Sequence, residues 1–558
     1  MNTNEREIET FLDKGETLTV EFKSDPKGGL PDRDLVTAVV AMANTEGGLI
    51  LLGVEDDGSV TGIQPRHQDT MGLKALIANR TSPSVPVSTE LIELGGKKVL
   101  CITVPKSQSI VSSTDGLVLR RRLMASGRPE AVPFYPHEFV QRQSALGLID
   151  PSAMPLVSLN AEDLNPLERQ RIREAIRRYG GDMSLLPLAD DELDGALGLV
   201  TTVEGVRRPT VAGLLIMGRE EMIRQHVPAH EVAFQVLEGT DVRVNEFFRK
   251  PLLQTFEEVE LLFKARVVEQ EIQVGLFRVP IPNFDRRAFR EGFINALVHR
   301  DYARLGAVHV KLDDDGLTIS SPGGFVEGVT LQNLLVVPPR SRNPLLADVV
   351  KRIGLAERTG RGIDRIYEGM LRYGRPAPDY SMSDASSVVL QMCRAEADTA
   401  FLEMILSYEA RTGVPMPIDS LIILSRLRQE RRLTTADLIQ STQKPEAATR
   451  ATLEKLVESG LVEAQGSGRG RSYILSAKVY KKYGQKTAYI RQAGFEPIQQ
   501  EQMVIAFIER HGEIKRADVV DLCHIGPFQA TRLLKRLARE GKIEPKGKGK
   551  GTFYVRRS

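Results

Sequence analysis

The C-terminal part of the chain contains an internal repeat. Shifting the sequence by 81 residues, without a gap, superposes residues 433–473 on residues 514–554. The matching pairs are Leu433 with Ile514, Ala436 with Ala517, Asp437 with Asp518, Leu453 with Leu534, Leu456 with Leu537, Gly460 with Gly541, Glu463 with Glu544 and Tyr473 with Tyr554. Self-similarity at one fixed offset predicts two copies of a single small folding unit.

Each copy reads as a helix, a turn, a second helix and a glycine-rich hairpin. The second helix is predicted over 445–458 and 527–539, and the hairpins read GSGRGRSYI and GKGKGTFYV. This is the winged-helix pattern, in which the second helix enters the major groove and the hairpin tip reaches phosphates. Winged helices also serve as protein–protein modules. We predict tandem winged-helix domains at 400–480 and 498–558.

Positive charge is concentrated in the second copy. Residues 501–558 hold 13 Lys and Arg against 7 Asp and Glu, a balance of +6, so the rest of a chain of net charge +2 carries −4. A basic module on an acidic body indicates a polyanionic partner. The predicted nucleic-acid contacts are Arg532, Lys535, Arg536, Arg539, Lys546, Lys548 and Lys550.

Length and composition predict a cytoplasmic protein of several domains. At roughly 100–200 residues per domain, 558 residues correspond to three to five domains. The N-terminus is charged and polar, and no apolar run approaches the roughly 18 residues that a membrane span needs, so no membrane partner is expected. Three widely spaced cysteines predict neither a disulfide framework nor a zinc site.

Acidic residues are spaced around two predicted strands near the N-terminus. Residues 17–23 alternate as in a strand and place Glu21 and Lys23 on one face, while 49–54 reads as a buried strand that ends before Asp56. Carboxylates that meet at such strand ends can hold Mg²⁺ or Mn²⁺ and, with a lysine, act on a phosphodiester. Spacing alone favours the simpler interpretation, a solvated strand followed by a turn.

The segments VEFK and AMANTEGGLILLGVEDDGSVTGI resemble the Schlafen core, or AlbA-like, domain. The resemblance implies a Schlafen-like α/β domain over residues 1–145 with a metal-dependent nuclease site. By motif, its catalytic and metal-binding acids are Glu16, Glu21 and Asp56, with Lys23 beside them. Glu55 and Asp57 flank the third acid, so the motif leaves its position open by one residue.

Three consecutive arginines follow in the segment GLVLRRRL, residues 116–123. A strand would place Arg120, Arg121 and Arg122 on both of its faces. They are interpreted either as a solvated edge strand or as contacts to RNA or DNA phosphates.

The middle of the chain is predicted to begin with a scaffold region, residues 155–280. Helices are expected over 164–179 and 247–270, and 210–218 reads as a buried strand or a short apolar core segment. No catalytic constellation is visible in this region.

A polar stripe follows in residues 286–302, where Glu291, Asn295 and His299 recur every four residues on one helix face. Such a stripe can be solvated surface, or it can bind Mg²⁺ through the Asn295 oxygen while Glu291 orients water.

This segment resembles the N-box of the divergent GHKL-type ATP-binding domain. SSPGGF at 320–325, SRNP at 341–344 and TGRGIDRI at 359–366 follow in the matching order. The resemblance implies a GHKL-like α/β sandwich over 281–395, with Glu291, Asn295, His299, Gly323, Gly360 and Gly362 binding ATP. The glycine turn leading into a helix is a plausible phosphate cradle. The sequence departs from the family where SPGG replaces the adenine-reading DxGxG.

The whole chain therefore predicts a multidomain protein of α/β and α+β class. The order of domains resembles bacterial proteins labelled as transcriptional regulators or ATP-binding proteins. Two functions are compatible with it: a metal-dependent nuclease acting on tRNA-like RNA or on DNA, in anti-phage defence and under nucleotide control, or a non-catalytic, ATP-responsive DNA-binding regulator. Mammalian Schlafen cores hold two related lobes and this chain shows one, so a homo-oligomer is expected.

Overall fold

A computed structural model describes most of the chain in two compact units. The described residues are 5–25, 27–124, 127–274, 277–356, 360–430, 432–466, 471–476, 479, 497–523, 527–547 and 552–556. Unit 1 comprises Met1–Ala161, Asp194–Gly213 and Arg340–Asp348, and unit 2 comprises Glu162–Leu193, Leu214–Pro339 and Val349–Ser558. Both mix helices with several sheets, which confirms the mixed α/β class. No helix within the described ranges is long and apolar enough to span a bilayer.

A four-stranded sheet forms the centre of unit 1. In spatial order its strands are Val20–Lys23, Gly48–Leu52, Lys97–Val104 and Ser88–Leu94. The first two are parallel and the other neighbours are antiparallel. Ile50 and Leu52 join one apolar cluster, whereas Leu49 and Leu51 join another on the opposite face. Because both faces of the strand Gly48–Leu52 are covered, its sequence is a continuous apolar run rather than an alternating one.

The helix Asp32–Ala43 covers one face of this sheet. The helix ends at Asn44, and Asn44 keeps a right-handed backbone with φ −80°. Its carboxamide donates to the carbonyls of Val111 and Leu119 and accepts from the Val111 N–H. Gly48 has φ +136°, and a Cβ there would lie 2.0 Å from the Thr19 carbonyl oxygen, so this turn requires glycine.

Other elements of the chain complete the two units. The further helices are Glu5–Lys14, Thr70–Arg80, Pro136–Ala145, Pro166–Tyr179, Asp190–Ala196, Val211–Met217, Glu220–His226 and Pro344–Ile353, with 3₁₀ turns at Pro65–Gln68, Pro151–Ala153, Ala161–Asp163 and Met183–Leu185. The further strands pair as Thr81–Ser82 with Ser112–Ser113, Leu119–Leu123 with Pro129–Pro133, Val200–Val203 with Val206–Pro209, and Glu269–Val274 with Phe277–Pro282.

A five-stranded sheet forms the centre of unit 2. Its order is Asp241–Phe248, Val232–Glu238, Val308–Leu312, Gly316–Pro322 and Ser387–Cys393. The pair Val232–Glu238 and Val308–Leu312 is parallel and the rest are antiparallel. Two of these strands come from the predicted scaffold region and three from the predicted ATP-binding domain. The sheet therefore crosses the boundary expected at residue 280, because strand pairing joins segments that are distant in sequence.

The helix Arg286–Val298 packs on this sheet, and the helices Leu252–Lys264 and Gly362–Leu371 pack on that helix. The first two meet through stacked phenylalanines. Phe263 and Phe289 have ring centroids 3.7 Å apart, and the Phe256 and Phe293 centroids are 6.0 Å apart. Phe289 and Phe293 thus form a buried apolar face on the helix Arg286–Val298.

Two local predictions are wrong in part. The expected helix over 247–270 is interrupted: a strand runs to Phe248, Pro251 precedes a helix over Leu252–Lys264, and a strand begins at Glu269. Proline fixes the backbone at the helix start and cannot continue a helix upstream. Residues 211–217 form a helix, not a strand, although they are an apolar core segment as predicted.

The C-terminal repeat is present in the fold. The first copy consists of Ile418–Glu430, Leu433–Thr434, Thr435–Thr442, Glu446–Glu458, Val462–Gln465 and Ser472–Leu475, preceded by the helix Thr399–Thr412. The second consists of Pro497–His511, Ile514–Lys515, Arg516–Cys523, Pro527–Arg539, Ile543–Lys546 and Phe553–Arg556. Apart from the start of its first helix, which is two residues earlier, each element of the second copy has the bounds of its counterpart shifted by 81 residues. Both copies form a three-stranded sheet with the last strand in the middle.

The first copy is attached to the five-stranded domain through Gln443. This residue has φ +56° and, with Glu204, is one of two non-glycine residues with positive φ in the described part of the chain. Its carboxamide donates to the Leu331 carbonyl at 2.7 Å and accepts from the Leu335 N–H at 2.9 Å. We call this pair of hydrogen bonds the Gln443 contact. The left-handed backbone conformation costs free energy for a residue other than glycine, and the two hydrogen bonds of Gln443 offset that cost.

Candidate functional site

The strand Val20–Lys23 brings Glu21 and Lys23 together. Alternation along the strand buries Val20 and Phe22 in the apolar core and sends Glu21 and Lys23 to the same side. The Lys23 Nζ lies 2.7 Å from the Glu21 Oε1, which confirms the predicted shared face. Glu21 is only 6% exposed, so its charge needs further compensation from within the fold.

Arg121 supplies that compensation. Its guanidinium pairs with the Glu21 carboxylate and donates to the carbonyls of Thr17 at 2.8 Å and Val20 at 3.2 Å. Its main-chain N–H donates to the Thr45 hydroxyl at 2.8 Å. Burial lowers the pKa of Arg121, and the Glu16 carboxylate opposes that change. Arg121 therefore connects the loop before the first strand, that strand and the end of a helix.

The three adjacent arginines consequently have different roles. Arg121 is 3% exposed, so it cannot reach a phosphate as predicted. Arg120 is half-buried and pairs with Glu138, whereas the Arg122 side chain is exposed. Of the three arginines predicted to contact phosphates, Arg122 is the one whose side chain is exposed to solvent.

The remaining acids occupy the surrounding turns. Glu16 is half-buried and its carboxylate accepts from the Phe22 N–H at 2.8 Å. Glu55 accepts from the Thr61 hydroxyl at 2.8 Å. Asp57 accepts from the Ser59 N–H, and its hydrogen bonds from Ser59 lower the pKa of the Asp57 carboxyl. Asp56 is exposed, and among the described contacts its carboxylate has no partner.

As arranged, these acids do not fit a metal ion. One Glu21 oxygen faces Lys23 and the other faces Arg121, so cationic side chains already surround this carboxylate. Within the described ranges, no three His, Cys, Asp or Glu side chains converge as metal ligands. Glu16, Glu21 and Asp56 are thus not brought into a ready metal site, and binding Mg²⁺ or Mn²⁺ there requires the two ion pairs to open.

A buried polar cluster next to this strand has no counterpart in the sequence predictions. The Asp25 carboxylate lies 2.8 Å from the His67 Nδ1 and accepts from the N–H groups of Leu30 and Gln64. Burial acts to raise the pKa of Asp25, but these hydrogen bonds lower it overall. Arg66 Nε donates to the His67 Nε2 at 3.2 Å. Asp25 precedes a proline and resembles an ordinary turn residue, so the sequence carries no signal for the cluster.

The polar stripe of the helix Arg286–Val298 faces the start of another helix. Glu291 is 3% exposed and its carboxylate lies 3.3 Å from Arg365. A Cβ added at Gly362 would lie 2.9 Å from the Glu291 Oε2 and 3.7 Å from the Asn295 Nδ2. The fold therefore brings together Glu291, Asn295 and Gly362, three of the positions that the resemblance assigns to ATP binding. His299 lies at the C-terminal end of the same helix.

The other two predicted cradle glycines are placed differently. The Gly323 N–H donates to the Ser386 carbonyl at 2.7 Å, so this amide is already used within the fold. Gly360 has φ +74° and lies against Pro339. Because the N-terminal end of a helix attracts phosphate, Gly362 at the start of Gly362–Leu371 is the position best suited to a nucleotide.

Basic side chains cover one face of the helix Pro527–Arg539. Arg532, Lys535 and Arg539 are exposed and follow helical spacing. Arg536 is half-buried and lies 4.0 Å from Glu501 and 3.8 Å from Glu540. In the hairpin, Lys546 is exposed and lies 3.4 Å from Glu544, while Lys548 and Lys550 fall outside the described residues.

Family models match three parts of the chain. "Schlafen, AlbA_2" matches residues 16–126, and "Putative ATP-dependent DNA helicase recG C-terminal", a histidine-kinase-type ATPase model, matches residues 306–391. A domain of unknown function matches residues 142–233. The chain thus carries a Schlafen AlbA_2 domain and an ATPase-type domain, which confirms both predicted resemblances. We refer to residues 306–391 as the ATPase-type domain.

One solved structure shows the same overall fold, and two others are similar over about a quarter of the chain. The crystal structure of the DIP2311 protein from Corynebacterium diphtheriae is 21% identical, covers 98% of both chains and has a TM-score of 0.51. The N-terminal domain of a RecG-related protein from Nitrosomonas europaea is 24% identical over 23% of this chain and 94% of its own, with a TM-score of 0.17. The mRNA-binding domain of elongation factor SelB from E. coli, in complex with SECIS RNA, is 17% identical over 25% of this chain and 98% of its own, with a TM-score of 0.14. No curated protein matches the chain.

Proposed function

We propose that this chain, in which a Schlafen AlbA_2 domain and an ATPase-type domain precede two repeated C-terminal modules, is an ATP-responsive, nucleic-acid-binding regulator. The C-terminal modules are winged helices, and the second one holds the nucleic acid. The observation that carries this proposal is the exposed row of Arg532, Lys535 and Arg539 on the second helix of that module. In winged helices this element enters the major groove of a duplex.

The charge distribution supports binding through phosphates. Each lysine or arginine that neutralises a phosphate releases condensed counterions, so affinity falls as salt rises. The helix Pro527–Arg539 has four basic residues and no acidic ones, and its apolar residues Leu533, Leu534 and Leu537 are buried. The basic side chains are therefore displayed on a helix that the core holds in place.

Removing the three exposed cations is the direct test. In the variant Arg532→Ala/Lys535→Ala/Arg539→Ala, the slope of log K against log salt on duplex DNA should fall by about 0.9 for each lost phosphate contact, close to 3 in total. Filter binding across a salt series measures the slope. A control variant with the same charge change, Arg178→Ala/Arg219→Ala/Arg224→Ala, removes exposed arginines elsewhere and should leave it unchanged. Equal slopes for wild type and the first variant would refute nucleic-acid binding by this face.

ATP response is proposed to arise where Glu291, Asn295 and Gly362 meet. The helix start at Gly362 suits a phosphate, and the Asn295 carboxamide oxygen suits Mg²⁺. The closeness of Gly362 to Glu291 and Asn295 supports this assignment, because it places the helix start beside two side chains that the N-box resemblance assigns to ATP binding. When bound, ATP with Mg²⁺ supplies negative charge that the helix start and basic groups balance.

Thermal stability measures nucleotide binding without assuming hydrolysis. ATP with Mg²⁺ at about one hundred times its dissociation constant should stabilise the wild type by about 2.7 kcal/mol, and Asn295→Ala should abolish that stabilisation. Asn245→Ala, on the edge strand Asp241–Phe248, is the matched control and should respond like the wild type. If ATP with Mg²⁺ leaves the melting temperature of the wild type unchanged, the proposed nucleotide response is excluded.

A second candidate function is phosphodiester cleavage by the AlbA_2 domain, acting on tRNA-like RNA or on DNA and serving anti-phage defence. The exposed Asp56 carboxylate favours it, because Glu55 and Asp57 are engaged in the turn while Asp56 remains available to a ligand. Asp56 is accordingly our choice for the third acid beside Glu16 and Glu21, and metal-dependent cleavage there requires the ion pairs of Glu21 with Lys23 and Arg121 to open.

Cleavage can be tested with purified tRNA and Mn²⁺. Asp56→Asn should abolish cleavage, whereas Asp57→Asn should retain it, and both variants should fold because both positions are exposed. Glu21→Gln should also be inactive. Cleavage products are resolved on denaturing gels. Absence of cleavage with any divalent cation, or full activity in Asp56→Asn, would eliminate the nuclease hypothesis.

The oligomeric state is a separate proposal. One AlbA_2 lobe per chain suggests that two chains assemble to provide two lobes. Light scattering at micromolar concentration should then give a mass of at least twice 61.9 kDa. A mass of 61.9 kDa would exclude the dimer.

A further inference from the structure

The two winged-helix modules carry opposite charge on the same helix face. The 81-residue offset superposes Ala451, Glu454 and Glu458 on Arg532, Lys535 and Arg539, and all six side chains are exposed. The apolar sides match instead, since Leu453 and Leu456 are buried like Leu534 and Leu537. The repeat thus keeps the packing of this helix and inverts the charge that it presents.

The total charges of the two corresponding helices also have opposite sign. Glu446–Glu458 has two basic and three acidic residues, a balance of −1, whereas Pro527–Arg539 has four basic residues and a balance of +4. Arg450 in the first copy is paired with Glu446 one turn earlier, at 2.6 Å. A negative helix face repels a polyanion and loses the counterion-release term that favours binding.

The N-terminal end of the helix Glu446–Glu458 also makes contacts within the chain. Gln443, three residues before Glu446, makes the Gln443 contact with Leu331 and Leu335 of the ATPase-type domain. Lys444 pairs with Asp419 at 2.5 Å. In helix-turn-helix proteins, the N-terminal residues of this helix contact base edges. That end of the first copy is instead used for packing within unit 2.

An apolar core reinforces this docking. Leu371 of the helix Gly362–Leu371 shares one buried cluster with Phe401, Leu421 and Leu453, and Leu335 packs against the same cluster. The helix Ile418–Glu430 packs on Gly362–Leu371, whose start lies beside Glu291. The first copy is therefore joined to the ATPase-type domain by both polar and apolar contacts.

We infer that the two modules have different partners: the helix Glu446–Glu458 takes no nucleic acid and belongs to a module that docks on the ATPase-type domain, while Pro527–Arg539 alone takes the polyanion. This inference rests on the proposed nucleic-acid binding by the second copy. It concerns the helix faces, because the hairpin tips 467–470 and 548–551 lie outside the described residues. Each chain then binds duplex DNA through one helix. The slope of log K against log salt is therefore set by the basic side chains of the second module alone.

The first experiment removes the two basic side chains of the helix Glu446–Glu458. In the full-length protein, Arg450→Ala/Lys455→Ala should leave the slope of log K against log salt on duplex DNA unchanged. A fall of about 0.9 per residue would overturn the inference, because it would place this helix on phosphates. Arg532→Ala/Lys535→Ala/Arg539→Ala in the same assay reports on the proposed function separately, since it alters the second copy only.

The second experiment tests the docking and requires no nucleic acid. Gln443→Gly keeps the left-handed turn, which glycine adopts readily, and removes the Gln443 contact. Amide hydrogen exchange of the peptide containing Leu335 should accelerate about five- to tenfold, as expected for a lost hydrogen bond. Glu204→Gly, the other non-glycine residue with positive φ among the described ones, should leave that peptide unchanged. Equal exchange in wild type and Gln443→Gly would refute docking through this residue.

Discussion

Replacing Arg121 with alanine is expected to destabilise the sheet of unit 1 by about 3–5 kcal/mol. The substitution leaves Glu21, 6% exposed, without the guanidinium that faces one of its oxygens. It also removes the donor for the Thr17 and Val20 carbonyls. Removing one partner of a buried ion pair costs the full desolvation of the other, so the effect far exceeds that of a surface pair.

Amide hydrogen exchange in the full-length protein measures this loss locally. Exchange of the strand Val20–Lys23 should accelerate by about two to three and a half orders of magnitude. Arg122→Ala is the matched control, since it removes the same side chain one residue later from an exposed position, and it should change stability by less than about 0.5 kcal/mol. If the two variants exchange alike, Arg121 does not stabilise the sheet.

Replacing Arg300 with methionine should destabilise the sheet of unit 2 by at least about 4 kcal/mol. Arg300 is fully buried and its guanidinium donates to the carbonyls of Ala229, Asp301, Arg304 and Gly306. Ala229 and Gly306 lie just before the paired strands Val232–Glu238 and Val308–Leu312, so one side chain fixes the entry to both. Each buried carbonyl deprived of its donor costs about 1–3 kcal/mol.

The same exchange measurement, on the strands Val232–Glu238 and Val308–Leu312, checks this prediction. Arg304→Met is the control: the Arg304 side chain is 38% exposed and lies 3.4 Å from Asp301, so its loss should cost about 1 kcal/mol or less. An Arg300→Met protein whose two strands exchange at the wild-type rate would show that other donors satisfy the carbonyls.

Local patterns identified much of the fold correctly. The shared face of Glu21 and Lys23 and the helices within each copy of the 81-residue repeat depend on residues close together in sequence. Periodicity reports such elements directly. The joining of Glu291 with Gly362 was reached through the order of family motifs, since 71 residues separate the two positions.

Other features depend on contacts that no local pattern records. In the run of three arginines, alternation separates Arg121 from its two neighbours, but it does not say which face is buried. That is decided when the hairpin Leu119–Leu123 and Pro129–Pro133 packs on the helix Asp32–Ala43. The cluster of Asp25 with His67 is similar, because its members are 42 residues apart.

By itself, the sequence determined the kind of residue at each candidate position: the acids Glu16, Glu21 and Asp56, and the basic helix face of the second copy. Only the tertiary structure decided what those residues contact. Glu21 is paired with Arg121, 100 positions away, and Gln443 is hydrogen-bonded to Leu331, 112 positions away. A charged or amide side chain takes its role from the groups that replace water around it, and folding alone brings those groups together.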